Sequence, residues 1–281
     1  MRDLPIGIFD SGVGGLTVYR ALHERLPDER FIYLGDTARV PYGTKSLATV
    51  ERYATQNARF LASHGIKLLV VACNTASALA LPAIRAAVAL PVVGVIEPGG
   101  RAAVQTLSDP ALAKKVGVIA TEATVKSGTY KRVITELAPA AQVIERACPL
   151  FVPLAEEGWA DTDVARQVAA VYLDDLRTEK LSALVLGCTH YPILRRVIAE
   201  TVGAEVRLID SGEATAEAVQ YYLSTEGLAR SRPREIIDAP PRQLCDDLDH
   251  FYVTDAAERF AHVAAKFLGS APAVLEAVEV N

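Results

Sequence analysis

The 281-residue chain has no surplus of positive charge: 29 Lys and Arg stand against 34 Asp and Glu, a formal net charge of −5. That balance speaks against a nucleic-acid surface, which needs clustered Lys and Arg to neutralise phosphates. No stretch reaches about 18 uninterrupted apolar residues, so a membrane-spanning helix is not expected. The opening Met1-Arg2-Asp3-Leu4-Pro5 lacks the apolar run of a secretory signal and leads straight into a strand pattern, so the expected location is cytoplasmic. Cysteine is scarce: Cys73, Cys148, Cys188 and Cys245. None sits in a CxxC pair or has a histidine at zinc-ligand spacing, so no metal site is expected. In a reducing compartment all four are expected to be free thiols, and the plainest role for any of them is that of a small buried hydrophobe. A nucleotide loop is missing as well. Asp10-Ser11-Gly12-Val13-Gly14-Gly15 has no GK[ST] and lacks the third glycine of a dinucleotide fingerprint. A small anion such as a substrate carboxylate at the following helix start fits it better.

What the chain does have is a core: 51% of its residues are hydrophobic and 22% charged, ordinary for a globular protein. Its length suits one large α/β domain or two smaller ones. Apolar runs at 5–9, 31–36, 66–72, 91–96, 116–121, 183–187 and 206–211 read as strands, and the segments at 16–26, 47–64, 76–90 and 214–223 have helical spacing. Glu97-Pro98-Gly99-Gly100 is expected to lead into a further helix, and Asp10 or Ser11 to cap the first. This rhythm of strand and helix predicts parallel sheets covered by helices. Residues 224–245 read as a loop or linker, 251–254 as a short strand, 256–268 as an amphipathic helix, and 270–281 as a tail with no pairing signal, expected to fray.

The pattern repeats itself. Val116-Gly117-Val118-Ile119-Ala120-Thr121 follows Ile6-Gly7-Ile8-Phe9-Asp10-Ser11 at an offset of 110. The aliphatic run that ends in Gly187-Cys188-Thr189-His190 follows the run ending in Ala72-Cys73-Asn74-Thr75 at an offset of 115. Two markers in one order at nearly one offset suggest an internal duplication, in which Ser11 corresponds to Thr121 and Cys73 to Cys188. Ligand sites of doubly wound sheets lie at the C-terminal strand ends. The fold expected is therefore two similar doubly wound α/β domains related by a pseudo-twofold, with the site in the cleft between them. The first domain is expected to comprise 1–97 plus 209–281 and the second 98–208.

Two thiols on opposite sides of one carbon can remove a proton from one face and deliver one to the other, inverting the centre without a cofactor. A nearby cation, a helix start or thiolate hydrogen bonds would bring such thiols toward neutrality. Asp10 is a candidate to bind an ammonium or assist a thiol, and His190 to exchange a proton with Cys188. Backbone amides and hydroxyls near Ser11, Thr75, Thr121 and Thr189 are candidates to hold a carboxylate. A plain helix cap remains the alternative for Asp10, and a loop histidine satisfied by backbone that for His190.

Four motifs make a resemblance specific: 7–16 (GIFDSGVGGL), 36–43 (DTARVPYG), Cys73-Asn74-Thr75-Ala76, and Gly187-Cys188-Thr189-His190-Tyr191-Pro192. Together they resemble the cofactor-independent aspartate/glutamate racemase family over nearly the whole chain. The Asp10-Ser11-Gly12 opening and the Pro41-Tyr42-Gly43 loop are closer to its glutamate branch. The resemblance implies interconversion of L- and D-glutamate, D-glutamate for peptidoglycan, no cofactor and a homodimer. It implies Cys73 acting on the D-enantiomer and Cys188 on the L-enantiomer. By the same resemblance Asp10, Ser11, Pro41, Tyr42, Gly43, Asn74, Thr75, Thr189 and His190 contact substrate, joined by Thr121 and Thr124, and Glu156 or Glu157 assists His190. A racemase of aspartate or another amino acid, and a thiol hydrolase using Cys188 with His190, are the rival expectations.

Overall fold

The computed structural model describes residues 1–108, 114–230 and 242–281. Ten strands form two parallel sheets among the described residues. The first sheet runs β10-β9-β2-β1-β3-β4, built from β1 (Ile6–Asp10), β2 (Phe31–Gly35), β3 (Leu68–Val71), β4 (Val92–Gly94), β9 (His250–Val253) and β10 (Leu275–Ala277). The second runs β6-β5-β7-β8, built from β5 (Lys115–Ala120), β6 (Gln142–Ala147), β7 (Ala183–Gly187) and β8 (Arg207–Asp210). The succession β2-β1-β3-β4 matches β6-β5-β7-β8 strand for strand, so the expected fold class holds. Cys73 follows β3 and Cys188 follows β7, at equivalent places in the two sheets.

β3 illustrates why these runs are strands. Leu68, Leu69, Val70 and Val71 are all fully buried, and β-branched or aliphatic residues with no polar side suit a strand covered on both faces. Leu68 and Val70 join one apolar cluster and Leu69 and Val71 another, as the two-residue period of a strand requires. Burying each such side chain contributes about 1.5–3 kcal/mol. The cluster holding Leu68 and Val70 continues without interruption to Leu184 and Leu186 of β7, so one apolar core joins both sheets.

Several local expectations needed correction. The predicted helix over 76–90 is two helices, α3 (Asn74–Leu79) and α4 (Leu81–Ala87): Pro82 sits in the first turn of the second, where its missing N–H costs nothing. The Glu97-Pro98-Gly99-Gly100 stretch does not precede a helix but lies inside α5 (Ile96–Thr106). Neither Asp10 nor Ser11 caps α1 (Leu16–Arg25), whose N-cap is Gly15 without a side-chain cap. The tail does not fray: Leu275–Ala277 pairs in parallel with β9, and Val278 donates to the Val253 carbonyl. Of the predicted linker 224–245, residues 224–225 finish α11 (Ser211–Thr225), started by the Asp210 carboxylate capping Gly212 and Glu213, while 231–241 lie outside the described residues. The stretch 122–182, where the pattern predicts no explicit element, holds α6 (Glu122–Ser127), α7 (Thr129–Leu137), β6, α8 (Phe151–Glu156) and α9 (Asp163–Leu173).

α2 (Leu47–Ser63), α10 (Arg195–Val202) and α12 (Ala257–Leu268) complete the helices used below. Among the described residues no helix is long and apolar enough to cross a membrane.

Candidate active site

The C-terminal ends of β1, β3, β5 and β7 meet at one narrow cleft. Its walls carry Cys73, Asn74 and Thr75 from the first sheet and Thr121, Cys188, Thr189 and His190 from the second. Ser11 and the Pro41-Tyr42-Gly43 turn close it. The structure thus brings together every predicted site residue except two, Asp10 and Thr124, which stand directly behind its walls. It adds Gly12, Val40 and Val152 to the lining, and Glu156, one of the two acidic candidates for assisting His190, lines it as well.

Cys73 is the N-cap of α3, with its Sγ accepting from the Ala76 amide at 3.4 Å and donating to Ser11 Oγ at 3.5 Å. Burial and the Asp10 carboxylate nonetheless outweigh these bonds and push the thiol up to about 12, so at neutral pH it holds its proton. Cys188 has different surroundings. Its strand leads not into an α-helix start but into a 3-10 turn over Tyr191–Leu194, so the expected helix-dipole support is absent beside it. Its neighbour is instead His190, whose Nδ1 lies 3.8 Å from Sγ, while Nε2 lies 3.0 Å from Glu156 Oε1. Burial opposes charge on this ring, but the bonds to Cys188 and Glu156 prevail and hold it at about 10. The bond to His190 correspondingly lowers Glu156 despite its partial burial. Between the two acidic candidates for assisting His190, geometry selects Glu156; Glu157 is exposed and faces Arg259 at 3.5 Å.

Asp10 is buried, and desolvation raises its carboxyl, only partly offset by the His190 charge and the amides of Gly12, Gly15 and Ser11. One carboxylate oxygen accepts from the Gly12 amide at 2.9 Å; the other, Oδ1, has no partner among the described residues. Asn74 is similar: Oδ1 accepts from the Tyr130 hydroxyl at 2.7 Å, while the buried Nδ2 has no partner among the described residues. Unpaired buried polar atoms cost about 1–3 kcal/mol each and are rare unless a ligand or water meets them.

Three threonines bridge the two halves of the site. Thr75 Oγ1 lies 3.0 Å from Thr121 Oγ1 and 3.3 Å from Thr124 Oγ1, and Thr121 caps α6 by accepting from the Thr124 amide. Tyr42 lines the cleft with its body, but its hydroxyl is turned away, donating to Asp36, and it accepts from Asn57 Nδ2 at 3.0 Å. That hydroxyl is therefore already committed to Asp36 and Asn57. Gly14 is packed so tightly that an added Cβ would meet Thr189 Oγ1 and lie 2.5 Å from His190 Nδ1, and Thr17 Oγ1 ties α1 to the Thr189 carbonyl at 2.8 Å. Among the described residues no group of three or more His, Cys, Asp or Glu could hold a metal ion.

Two matched parallel sheets that each bring a thiol to one shared, hydrogen-bonding cleft define a class of α/β protein with its candidate site at the facing strand ends. Comparison with known proteins narrows the class. A model of the Asp/Glu/hydantoin racemase family matches residues 6–219. The glutamate racemase of Geobacter metallireducens is 52% identical over 265 residues, covering 94% of this chain and 92% of that one. The glutamate racemase of Chlorobium phaeobacteroides is 47% identical, covering 99% and 97%. The crystal structure of Francisella tularensis glutamate racemase in complex with D-glutamate superposes with a TM-score of 0.88 at 37% identity, covering 100% and 99%. The chain belongs to the Asp/Glu/hydantoin racemase family.

Proposed function

We propose that the protein is a cofactor-independent glutamate racemase in which Cys73 and Cys188 act on opposite faces of the substrate α-carbon. The observation that carries this reading is the pair of thiols at equivalent strand ends lining one cleft, in a chain whose relatives bear that activity by name.

The asymmetry of the two thiols supports a direction for each proton. With Cys73 protonated, it is the acid that delivers a hydrogen to the face from which D-glutamate arises. Cys188 takes the hydrogen of L-glutamate from the other face, next to the His190–Glu156 pair that steadies charge beside it. In the reverse direction Cys73 must first yield its proton, and the carboxylate of Asp10, itself raised by burial, is the neighbouring acceptor. One C–H bond breaks and one forms, so no oxidant or reductant is needed. The Asn74 amide and the hydroxyls of Ser11, Thr75, Thr121 and Thr189 hold carboxylate charge, and donors that tighten as the α-carbon loses its proton favour the transition state. Asp10 Oδ1 is the candidate partner for the substrate ammonium.

The reading carries with it a first domain of 1–97 plus 209–281 and a second of 98–208, with the latter crossing best set after Asp210 because β8 extends that far. It also carries a homodimer in the cytoplasm that supplies D-glutamate for peptidoglycan. The decisive experiment follows deuterium uptake at Cα of each glutamate enantiomer in heavy water, for the wild type and for Cys73→Ala and Cys188→Ala. Uptake by the wild type, with racemisation abolished in both variants, is expected. Exchange of aspartate but not glutamate, or full activity of Cys73→Ala, would overturn the reading.

A further inference from the structure

Tyr130 has no place in the sequence motifs. It is nevertheless a fully buried aromatic of the second half of the molecule, and its hydroxyl reaches into the first half to donate to Asn74 Oδ1 at 2.7 Å. It projects from α7 and stands where the two chain crossings meet. A methyl on Gly99 of α5 would lie 3.3 Å from its hydroxyl and 3.4 Å from Cβ of Ser211, the first residue of α11. Asn74 has two ends of opposite character, an acceptor and a donor, and rotation of its amide by half a turn exchanges them at almost no steric cost. The Tyr130 hydroxyl disfavours that turn, because a flipped amide would make the hydroxyl an acceptor and take away the oxygen to which its O–H now donates. With Oδ1 so occupied, Nδ2, a buried donor with no partner among the described residues, is the end available to the cleft beside Cys73.

We propose that Tyr130 is a positioning residue that fixes the Asn74 amide with its donor toward the substrate carboxylate, across the boundary between the two halves of the molecule. The inference rests on the racemase reading. In Tyr130→Phe the ring still fills its space, but the amide is free to turn its carbonyl oxygen toward a carboxylate, replacing attraction with repulsion. The same contact makes substrate affinity depend on how the two halves are docked, because a shift of α7 relative to α3 breaks it.

The test is a mutant cycle of Tyr130→Phe, Asn74→Ala and the double variant, with kcat and KM measured in both directions by circular dichroism and thermal unfolding followed in parallel. Tyr130→Phe is expected to raise KM roughly tenfold, the worth of one oriented hydrogen bond to a charged group. In the Asn74→Ala background it is expected to add less than about twofold, since coupled residues do not add. A purely structural tyrosine would lower the unfolding midpoint and the active fraction, reducing kcat while KM stays put. An unchanged KM in Tyr130→Phe, or an equal effect with and without Asn74, overturns the inference and leaves the racemase reading standing. A wild type that turns over neither enantiomer of glutamate overturns both.

Discussion

The hydrogen bond between Glu156 and His190 lends itself to a quantitative test through Glu156→Gln, which removes the charge and keeps the shape. Glu156 Oε1 lies 3.0 Å from His190 Nε2, with the glutamate side chain about a quarter exposed. A hydrogen bond to a charged partner contributes about 1.5–3 kcal/mol, and one pKa unit corresponds to about 1.4 kcal/mol. Partial exposure and the Arg259 guanidinium at 3.6 Å from the other oxygen favour the lower end, so the histidine should fall by roughly one unit from its place at about 10. A histidine held above its unfolded value stabilises the fold fully below about 6.5 and loses that contribution as pH rises through about 10. Two readings follow. The alkaline limb of kcat/KM should move down by about one pH unit, equally for L- and D-glutamate, because enantiomers have equal free energy and the two ratios are tied. The α-deuterium isotope effect should rise with L-glutamate, whose hydrogen Cys188 removes, and not with D-glutamate. An alkaline limb that stays in place, or isotope effects that rise equally for both enantiomers, would refute the assigned roles of His190 and Cys188.

Three further outcomes are expected. Cys73→Ser and Cys188→Ser should each lower kcat by roughly a hundred- to ten-thousand-fold, the usual worth of a positioned acid or base, whereas Cys245→Ser, buried away from the cleft, should stay within about twofold; racemisation assays at pH 8 decide. Gly14→Ala should drive a methyl into Thr189 and His190 and cost roughly a hundredfold in kcat/KM, as misplacement by about 1 Å does elsewhere, with about 1–3 kcal/mol of stability lost to the overpacking. Lys67→Met should destabilise by about 3–5 kcal/mol in urea unfolding, because it strips the buried Glu29 carboxylate of the ammonium 2.5 Å away and leaves it the Arg230 amide, which donates to its other oxygen at 2.8 Å; a loss below about 1 kcal/mol would refute this account of the pair.

How far the sequence foretells this molecule depends on the range of the cause. The two cysteine strands were legible because full burial on both faces leaves a continuous aliphatic run, and the duplication because equivalent strands kept equivalent neighbours. β10 was not, since three residues pair there only because β9 offers an open edge, which local pattern does not record. Pro82 could have flagged the break between α3 and α4 as a favoured first-turn residue. The choice between Glu156 and Glu157 turns on helical phase at the end of α8, too fine for adjacent residues of one type. Tyr130 carried no signal at all: its partner lies 56 positions away, and nothing in either motif foreshadows it.

The order of strands has a consequence for synthesis. β2 lies between β1 and β9, and β9 begins only at residue 250, after the whole of the second sheet has been made. On the ribosome the first sheet therefore emerges with one edge of β2 bare, and such an edge invites pairing with other chains. The second sheet, contiguous in the chain, can close first, and the first is finished only when 250–277 arrive to cover it. A nascent chain halted before that point would carry both cysteines and most of the cleft, yet hold its oldest strands open to aggregation.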